Sequence, residues 1–400
     1  MAGVVQAKRA RSLCFCSYLQ GVIYFDHNAT TPVMPEACAA WLEATERFVG
    51  NPSSPHRLGQ RAEAALQSAR GELAAILGCD AMDVVWTSGA TESNNMVFHH
   101  LASTVPPDAE VWVLAIEHPC VLASADHYFP GRVRRIPVTR QGVVDLGWLT
   151  DGLKSKRPAF VAVMAANNET GVLQPWREVL NLCRSKGIAF FCDAAQWLGK
   201  LPGAGLGEAE FVSGCAHKFG GPKGVGFLKC PSAGSVTPLL VGGKQEEGRR
   251  AGTENVASVL SMMAALKQRE KLLATSGQEQ RLEWREEFER RLVQQLPGSE
   301  VVGGEADRLW NTVSALMPEA DCQQRWVVKL DKLGFAVSTG SACASGREEP
   351  SHVLAAMGYG AGEAGRVLRF SSGWETTGQE WSSLLQGLSK VREAMTPVAS

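Results

Sequence analysis

The run "GCAHKFGGPKGVGFL", residues 214–228, sets a lysine, Lys218, beside a histidine and just ahead of a glycine-rich turn. Other chemistry-bearing side chains stand where short apolar runs give way to polar residues: Thr87 to Thr91, Glu117 and His118, Asn167 to Glu169, and Asp193 with Gln196. Singly, each has an ordinary explanation. Ser88 or Gly89 could cap a helix with Glu92 in its first turn; Asp193 could close a loop; most lysines lie on the surface. Jointly they supply an amine, an acid, an imidazole, two amides and a helix N-terminus whose free N–H groups suit a phosphate. That set meets the demands of pyridoxal 5'-phosphate, which needs a Schiff-base lysine, an acidic partner for its pyridinium nitrogen and a phosphate cradle. The glycines after Lys218 do not make a nucleotide site. "GGPKGVG" is neither G-x-G-x-x-G nor G-x-x-x-x-G-K-[ST], and no ribose-binding acid follows at the required distance.

For these groups to act on one ligand, the strands that carry them must end at one edge. Open α/β sheets bind ligands there, beyond the carboxyl ends of their strands. From about Val22 to Val241 the chain alternates short apolar runs with amphipathic segments. "DVVWTSG", "EVWVLAIEH", "FVAVMAANNE", "IAFFCDAAQ" and "EFVSGCAHK" are strand-like, rich in Val, Phe and Ile. "ESNNMVFHHLA" and "REVLNLCRSKG" are helix-like, the second closed by a glycine. The alternation predicts an α/β domain with a mostly parallel sheet. From Val256 to about Leu296 two charged amphipathic helices follow, broken near Gly277. "NTVSALM", "FAVSTG", "PSHVLAAMG" and "RVLRFSSG" then mix strands and helices, as a smaller α+β domain would. The expected division is a large domain over residues 32–270 and a small one built from 1–31 and 271–400.

Bulk properties narrow the function classes. Four hundred residues bury a sizeable core, and a net charge of −1 argues against nucleic acid or an anionic membrane as partner. No apolar run reaches membrane-spanning length. The 11 cysteines form no C-x-x-C pair, so inert thiols in a reducing, cytoplasmic compartment are expected and a zinc site is not. The first 25 residues carry Lys8, Arg9 and Arg11 but no acid; a mitochondrial presequence would fit that charge, though not its length or serine content.

The motifs "YFDHNATTP", "GNPSSPHRLGQ", "TSGATESNN", "NNETGV", "CDAAQ", "AHKFGGPKGVGFL", "RRAGTEN" and "GSACASG" run in order along the chain. In them the sequence resembles the cysteine desulfurases of the class V aminotransferase family. The resemblance implies a fold-type I pyridoxal-phosphate enzyme working as a homodimer. It implies that Lys218 carries the cofactor, that Asp193 holds the pyridinium nitrogen and that His118 stacks on the ring. Asn168 and Gln196 would contact cofactor or substrate. Ala90, Thr91 and His217 would bind the phosphate, with Thr253 from the neighbouring subunit. Arg369 would take the substrate carboxylate through a bidentate pair, which a guanidinium suits better than an ammonium. Cys343, in "STGSACASGREEPS", lies among small residues, a setting for a mobile nucleophile rather than a packed thiol; Arg347 could lower its pKa.

The implied reaction converts L-cysteine to L-alanine and leaves a persulfide on Cys343, with Lys218 moving the Cα proton and His118 serving as proton donor. A sulfur-acceptor protein such as an iron–sulfur scaffold would follow, and Cys343 could be a transient cluster ligand. Two residues depart from the family pattern: Cys215 replaces a usual serine near the phosphate, and Trp374 stands where an arginine is common. Selenocysteine lyase is the nearest rival, and a non-catalytic pyridoxal-phosphate-binding scaffold is the rival from another class.

Overall fold

The protein was described from a computed structural model covering residues 21–231, 236–275, 277–319, 323–339 and 351–395. A short N-terminal strand, β1 (Ile23–Tyr24), precedes two helices, α1 (Pro35–Arg47) and α2 (Arg57–Leu77). The strand–helix alternation then runs β2 (Val84–Thr87), α3 (Ala90–Thr104), β3 (Val111–Leu114), α4 (Pro119–Tyr128), β4 (Val133–Ile136), α5 (Leu146–Ser155), β5 (Phe160–Ala162), α6 (Trp176–Ser185), β6 (Ala189–Asp193), β7 (Phe211–Cys215) and β8 (Gly226–Lys229). Strands β2 to β8 form one seven-stranded sheet in the order β2-β8-β7-β6-β5-β3-β4. Pairs β3–β4, β3–β5, β5–β6 and β6–β7 are parallel, so the sheet is mostly parallel, as the alternation predicts.

Strand β8 is the exception and pairs antiparallel with both β7 and β2. Only ten residues separate Cys215 from Gly226, fewer than the dozen or more that a parallel crossover requires. The chain must therefore turn back on itself, and Lys218 sits in that return. Its glycines have a definite task. Gly220 and Gly224 take φ of +95° and +78°, the left-handed region that only glycine adopts freely. A Cβ on Gly226 would lie 2.5 Å from the Gly214 carbonyl oxygen and 2.7 Å from Gly89 Cα. Close approach of β8 to the start of α3 thus depends on its lacking a side chain.

Apolar clusters cover both faces of the sheet. One joins Leu66, Leu73, Trp112, Leu114, Val161, Phe190 and Val212 with Met262 and Leu266; the other joins Val85, Phe98, Val113, Phe160 and Phe191. Fully buried strands of this kind read as continuous apolar runs, which is why β2, β3 and β5 show no alternation. The glycine after α6 closes it as expected. Gly187 takes φ +61°, and the Ile188 N–H reaches back to the Cys183 carbonyl at 3.0 Å.

The two long helices are α7 (Val256–Ala274) and α8 (Gly277–Gln295), broken where the sequence indicates. Helix α7 packs on α1 within the first core, whereas Phe288 and Leu292 of α8 belong to a second. That second core also contains Phe25, Trp326, Phe370 and Trp381. The rest of the chain forms β9 (Glu300–Val301), β10 (Thr312–Leu316), α9 (Gln323–Lys332), β11 (Phe335–Ala336), α10 (His352–Ala356), α11 (Ala361–Ala364), β12 (Val367–Ser371) and α12 (Gly378–Glu393). The second core draws on β10, α9, β11, β12 and α12, whereas Val353 and Leu354 of α10 and Ala364 of α11 pack into the first. Strands β12, β10 and β9 make an antiparallel sheet, and β1 pairs parallel with β11. The N-terminal segment therefore enters the second core before crossing to the first.

Candidate active site

A cavity of about 510 Å³ opens at the carboxyl edge of the parallel strands, within the size range of small-molecule sites. Its walls include Ala90, Thr91, His118, Asn168, Asp193, Gln196, Cys215, His217 and Lys218. These nine come from five stretches of sequence, and one edge collects them all. Arg369 does not line the cavity. It is buried on β12, where its guanidinium donates to the Asn168 carbonyl at 3.0 Å and pairs with Asp26 at 2.7 Å. Thr253 is exposed and outside the cavity wall. Cys343 and Arg347 lie outside the described residues.

Asp193 is the last residue of β6 and almost wholly buried. Its two oxygens accept separate hydrogen bonds, from Asn94 Nδ2 at 2.9 Å and from the Ala195 backbone N–H at 2.9 Å. Donors on both oxygens fix a carboxylate in place. Glu117, fully buried nearby, is pushed well above the usual carboxylate range by burial and then by the Asp193 charge. Burial therefore disfavours a second anion beside Asp193.

The start of α3 is uncapped by any side chain: Gly89 takes the N-cap position at φ +152°, and Glu92 turns away to the Ser88 N–H and Arg250. Apart from the Ala90 N–H, which meets the Cys215 thiol, its first-turn N–H groups can receive an anion in the cavity. Cys215 sits beside them, its thiol near the Ala90 N–H and pushed up to about 11 by burial. His217 places Nδ1 3.3 Å from Thr30 Oγ1. Burial, then Lys218 and Lys223, take His217 down to about 4, so the ring is neutral at physiological pH.

Lys218 stands in a short helical turn after β7, and its Nζ donates to the carbonyls of Asn28 at 2.7 Å and Ala29 at 2.8 Å. The amine, the paired carboxylate and the uncapped helix end all open on one cavity. That donor set fits pyridoxal 5'-phosphate: an amine for an aldehyde, a carboxylate for a ring nitrogen, and N–H groups for a phosphate.

Sequence reasoning found the wall of this cavity but not what supports it. Asn28 is the centre of the support. Its carbonyl accepts from Lys218 and from Gln196 Nε2 at 2.9 Å; its side chain reaches the Asn168 carbonyl, Thr312 Oγ1, Asn311 and Lys200. Lys200 is buried and bonds both Asn28 Oδ1 and Gln196 Oε1. Burial, with Lys218 and Arg369 adding repulsion, holds its amine well below the usual lysine range. "YFDHNATTP" carries Asn28, so a signal for it existed; "WLGK" held none for Lys200.

The expectation that His118 terminates a strand needs correcting. Strand β3 stops at Leu114, and His118 is instead the N-cap of α4, its Nδ1 accepting from the Cys120 N–H. Trp374 is also resolved. It is buried, donates Nε1–H to the Gly199 carbonyl at 2.7 Å and meets Trp310 edge-on at 4.8 Å.

The aminotransferase class-V family model matches residues 23–384. A cysteine desulfurase of Klebsiella pneumoniae is 38% identical over 353 residues, 87% of each chain. Among solved structures, a NifS-like protein superposes with a TM-score of 0.85 at 30% identity, covering 93% of this chain and all (100%) of that one. A structure titled SspA in complex with cysteine gives a TM-score of 0.74 at 26% identity, covering 87% and 98%. The chain belongs to the class-V aminotransferase family, among its cysteine desulfurases.

Proposed function

We propose that the protein is a pyridoxal-phosphate-dependent cysteine desulfurase that converts L-cysteine to L-alanine and leaves the substrate sulfur as a persulfide on Cys343. The observation that carries this reading is the single cavity onto which Lys218, Asp193, His118 and the uncapped start of α3 all open. The named substrates of its relatives agree with it.

When bound, pyridoxal phosphate supplies an aldehyde for the lysine and a ring that takes up the electron pair released at the substrate Cα. The chain does the rest. Asp193, fixed by Asn94 and Ala195, holds the ring nitrogen; Ala90, Thr91 and His217, with Thr253 of the second subunit of a homodimer, hold the phosphate. Lys218 Nζ moves the Cα proton, and Asn28 orients that amine through its carbonyl. Arg369, kept in place by Asp26, binds the substrate carboxylate. The Cys343 thiolate attacks the substrate sulfur: an S–S bond forms, the C–S bond breaks, and protons returned to carbon complete alanine. Electrons balance without an outside oxidant. The persulfide then passes to a sulfur-acceptor protein such as an iron–sulfur scaffold.

The test is direct. Purified protein should show the visible absorbance of lysine-bound pyridoxal phosphate and make alanine from cysteine. Cys343→Ala should keep the colour and lose turnover by about 100-fold or more. Full activity in that variant would sink the persulfide mechanism.

A further inference from the structure

We propose that Cys120 is a positioning residue that holds His118 as the neutral tautomer with its proton on Nε2. The argument begins at the N-terminus of α4, where the Cys120 backbone N–H lies 3.2 Å from His118 Nδ1. A backbone N–H can only donate, so Nδ1 accepts and carries no proton. The Cys120 thiol sulfur lies 2.9 Å from the same nitrogen.

The polarity of that second contact follows from its surroundings. Asn94 Nδ2 donates to Cys120 Sγ at 3.1 Å and to Asp193 Oδ2 at 2.9 Å. The Thr91 side chain also meets the sulfur; with the Asn94 amide donating to it, the S–H is directed at the bare Nδ1, a stronger acceptor than a hydroxyl oxygen. Burial, reinforced by the Asp193 charge, pushes the thiol up to about 12, so the S–H proton is present throughout the physiological range. A directed chain results, from Asn94 through Cys120 to His118, and Asn94 ties it to the carboxylate of Asp193.

The groups facing the imidazole come from three other elements. Burial lowers the pKa of the ring most; Asp193 at the end of β6 works against it, and Lys218 after β7 and His352 of α10 add to it. Two donors converging on Nδ1 act in the same direction as burial. With Nδ1 closed, the ring offers a hydrogen bond from Nε2 but accepts a proton only by breaking the cap of α4. His118 is then a fixed donor, and the proton traffic of the reaction falls to Lys218. This last step rests on the desulfurase reading; the tautomer does not.

Histidine-labelled holoenzyme settles the point by long-range proton–nitrogen correlation spectra, with His118 assigned from the signal lost in His118→Gln. The expected wild-type pattern is a protonated Nε2 and a bare Nδ1 near pH 7. Cys120→Ala should raise the titration midpoint of His118 by about half a unit to one unit, and Cys120→Ser, which keeps a donor, should restore the wild-type midpoint. A protonated Nδ1 in the wild type overturns the proposal, even where the alanine variant fails to fold; so does an unchanged midpoint in Cys120→Ala. A chain with this tautomer that makes no alanine from cysteine refutes the activity and leaves the tautomer standing.

Discussion

Cys215 and Asn28 show two ways in which single residues shape the site. Cys215 lines the cavity beside the Ala90 N–H with a thiol kept protonated by burial. Sulfur is a weaker hydrogen-bond partner than a hydroxyl oxygen, so Cys215→Ser should tighten pyridoxal-phosphate binding. One added neutral hydrogen bond of about 1 kcal/mol corresponds to roughly fivefold in Kd, measurable by equilibrium dialysis of the cofactor-free protein; an unchanged or weaker Kd would mean the position does not face the phosphate. Asn28 works by geometry, since it tethers Lys218, Gln196 and Lys200 at once. The two differ in legibility. Lys218, Asp193 and the "SGATE" turn could be read from sequence because each closes an apolar run, and strand ends share an edge. Lys200 could not: its meaning comes from Asn28, 172 positions away along the chain, and no local pattern records such a contact.

At the scale of elements, the start of α3 bears most of the burden. Gly89 at φ +152° and ψ 176° lies in a region that costs other residues about 1–3 kcal/mol. A Cβ there meets nothing within 4 Å, so the penalty is conformational rather than steric. Gly89→Ala should therefore lower the unfolding free energy by that amount and weaken cofactor binding at least tenfold by turning the first-turn N–H groups aside. Urea denaturation and dialysis would report the two effects separately; a loss of stability with unaltered cofactor affinity would show that α3 does not hold the phosphate. Helix positions were legible from periodicity and from closing glycines such as Gly187. The direction of β8 was not, because "GVGFLKC" is apolar whichever way it runs. Loop length decides it: ten residues cannot make a parallel crossover. Likewise the apolar "EVWVLAIEH" conceals a change from strand to helix cap before His118.

For the molecule as a whole, buried titrating groups set the response to acid. His27 is buried, and burial takes it from 6.5 down to about 4 in the folded state. Between those values the unfolded chain binds the proton and the folded chain does not, so stability falls as pH drops. The shift corresponds to roughly 3 kcal/mol for His27. His217, also near 4, adds in the same sense. Glu117 works oppositely, because its raised carboxyl is protonated only in the folded state. The buried His27 ring by itself therefore gives the cofactor-free protein a stability contribution that is present at pH 7.5 and partly lost at pH 5. His27→Gln should flatten that slope in urea titrations at the two pH values; an identical slope would mean that His27 is not the buried neutral ring described.

The tether at Asn28 also reaches beyond the cavity. The residue that steadies Lys218 with its backbone carbonyl is bonded through its side chain to Thr312 and Asn311 at the edge of the second core, while β1, just before it, is already paired with β11. A vitamin docking beside Lys218 thus tightens a knot shared by both halves of the chain. Its binding energy is distributed to a sheet that it never touches, and loaded protein should melt as one cooperative body.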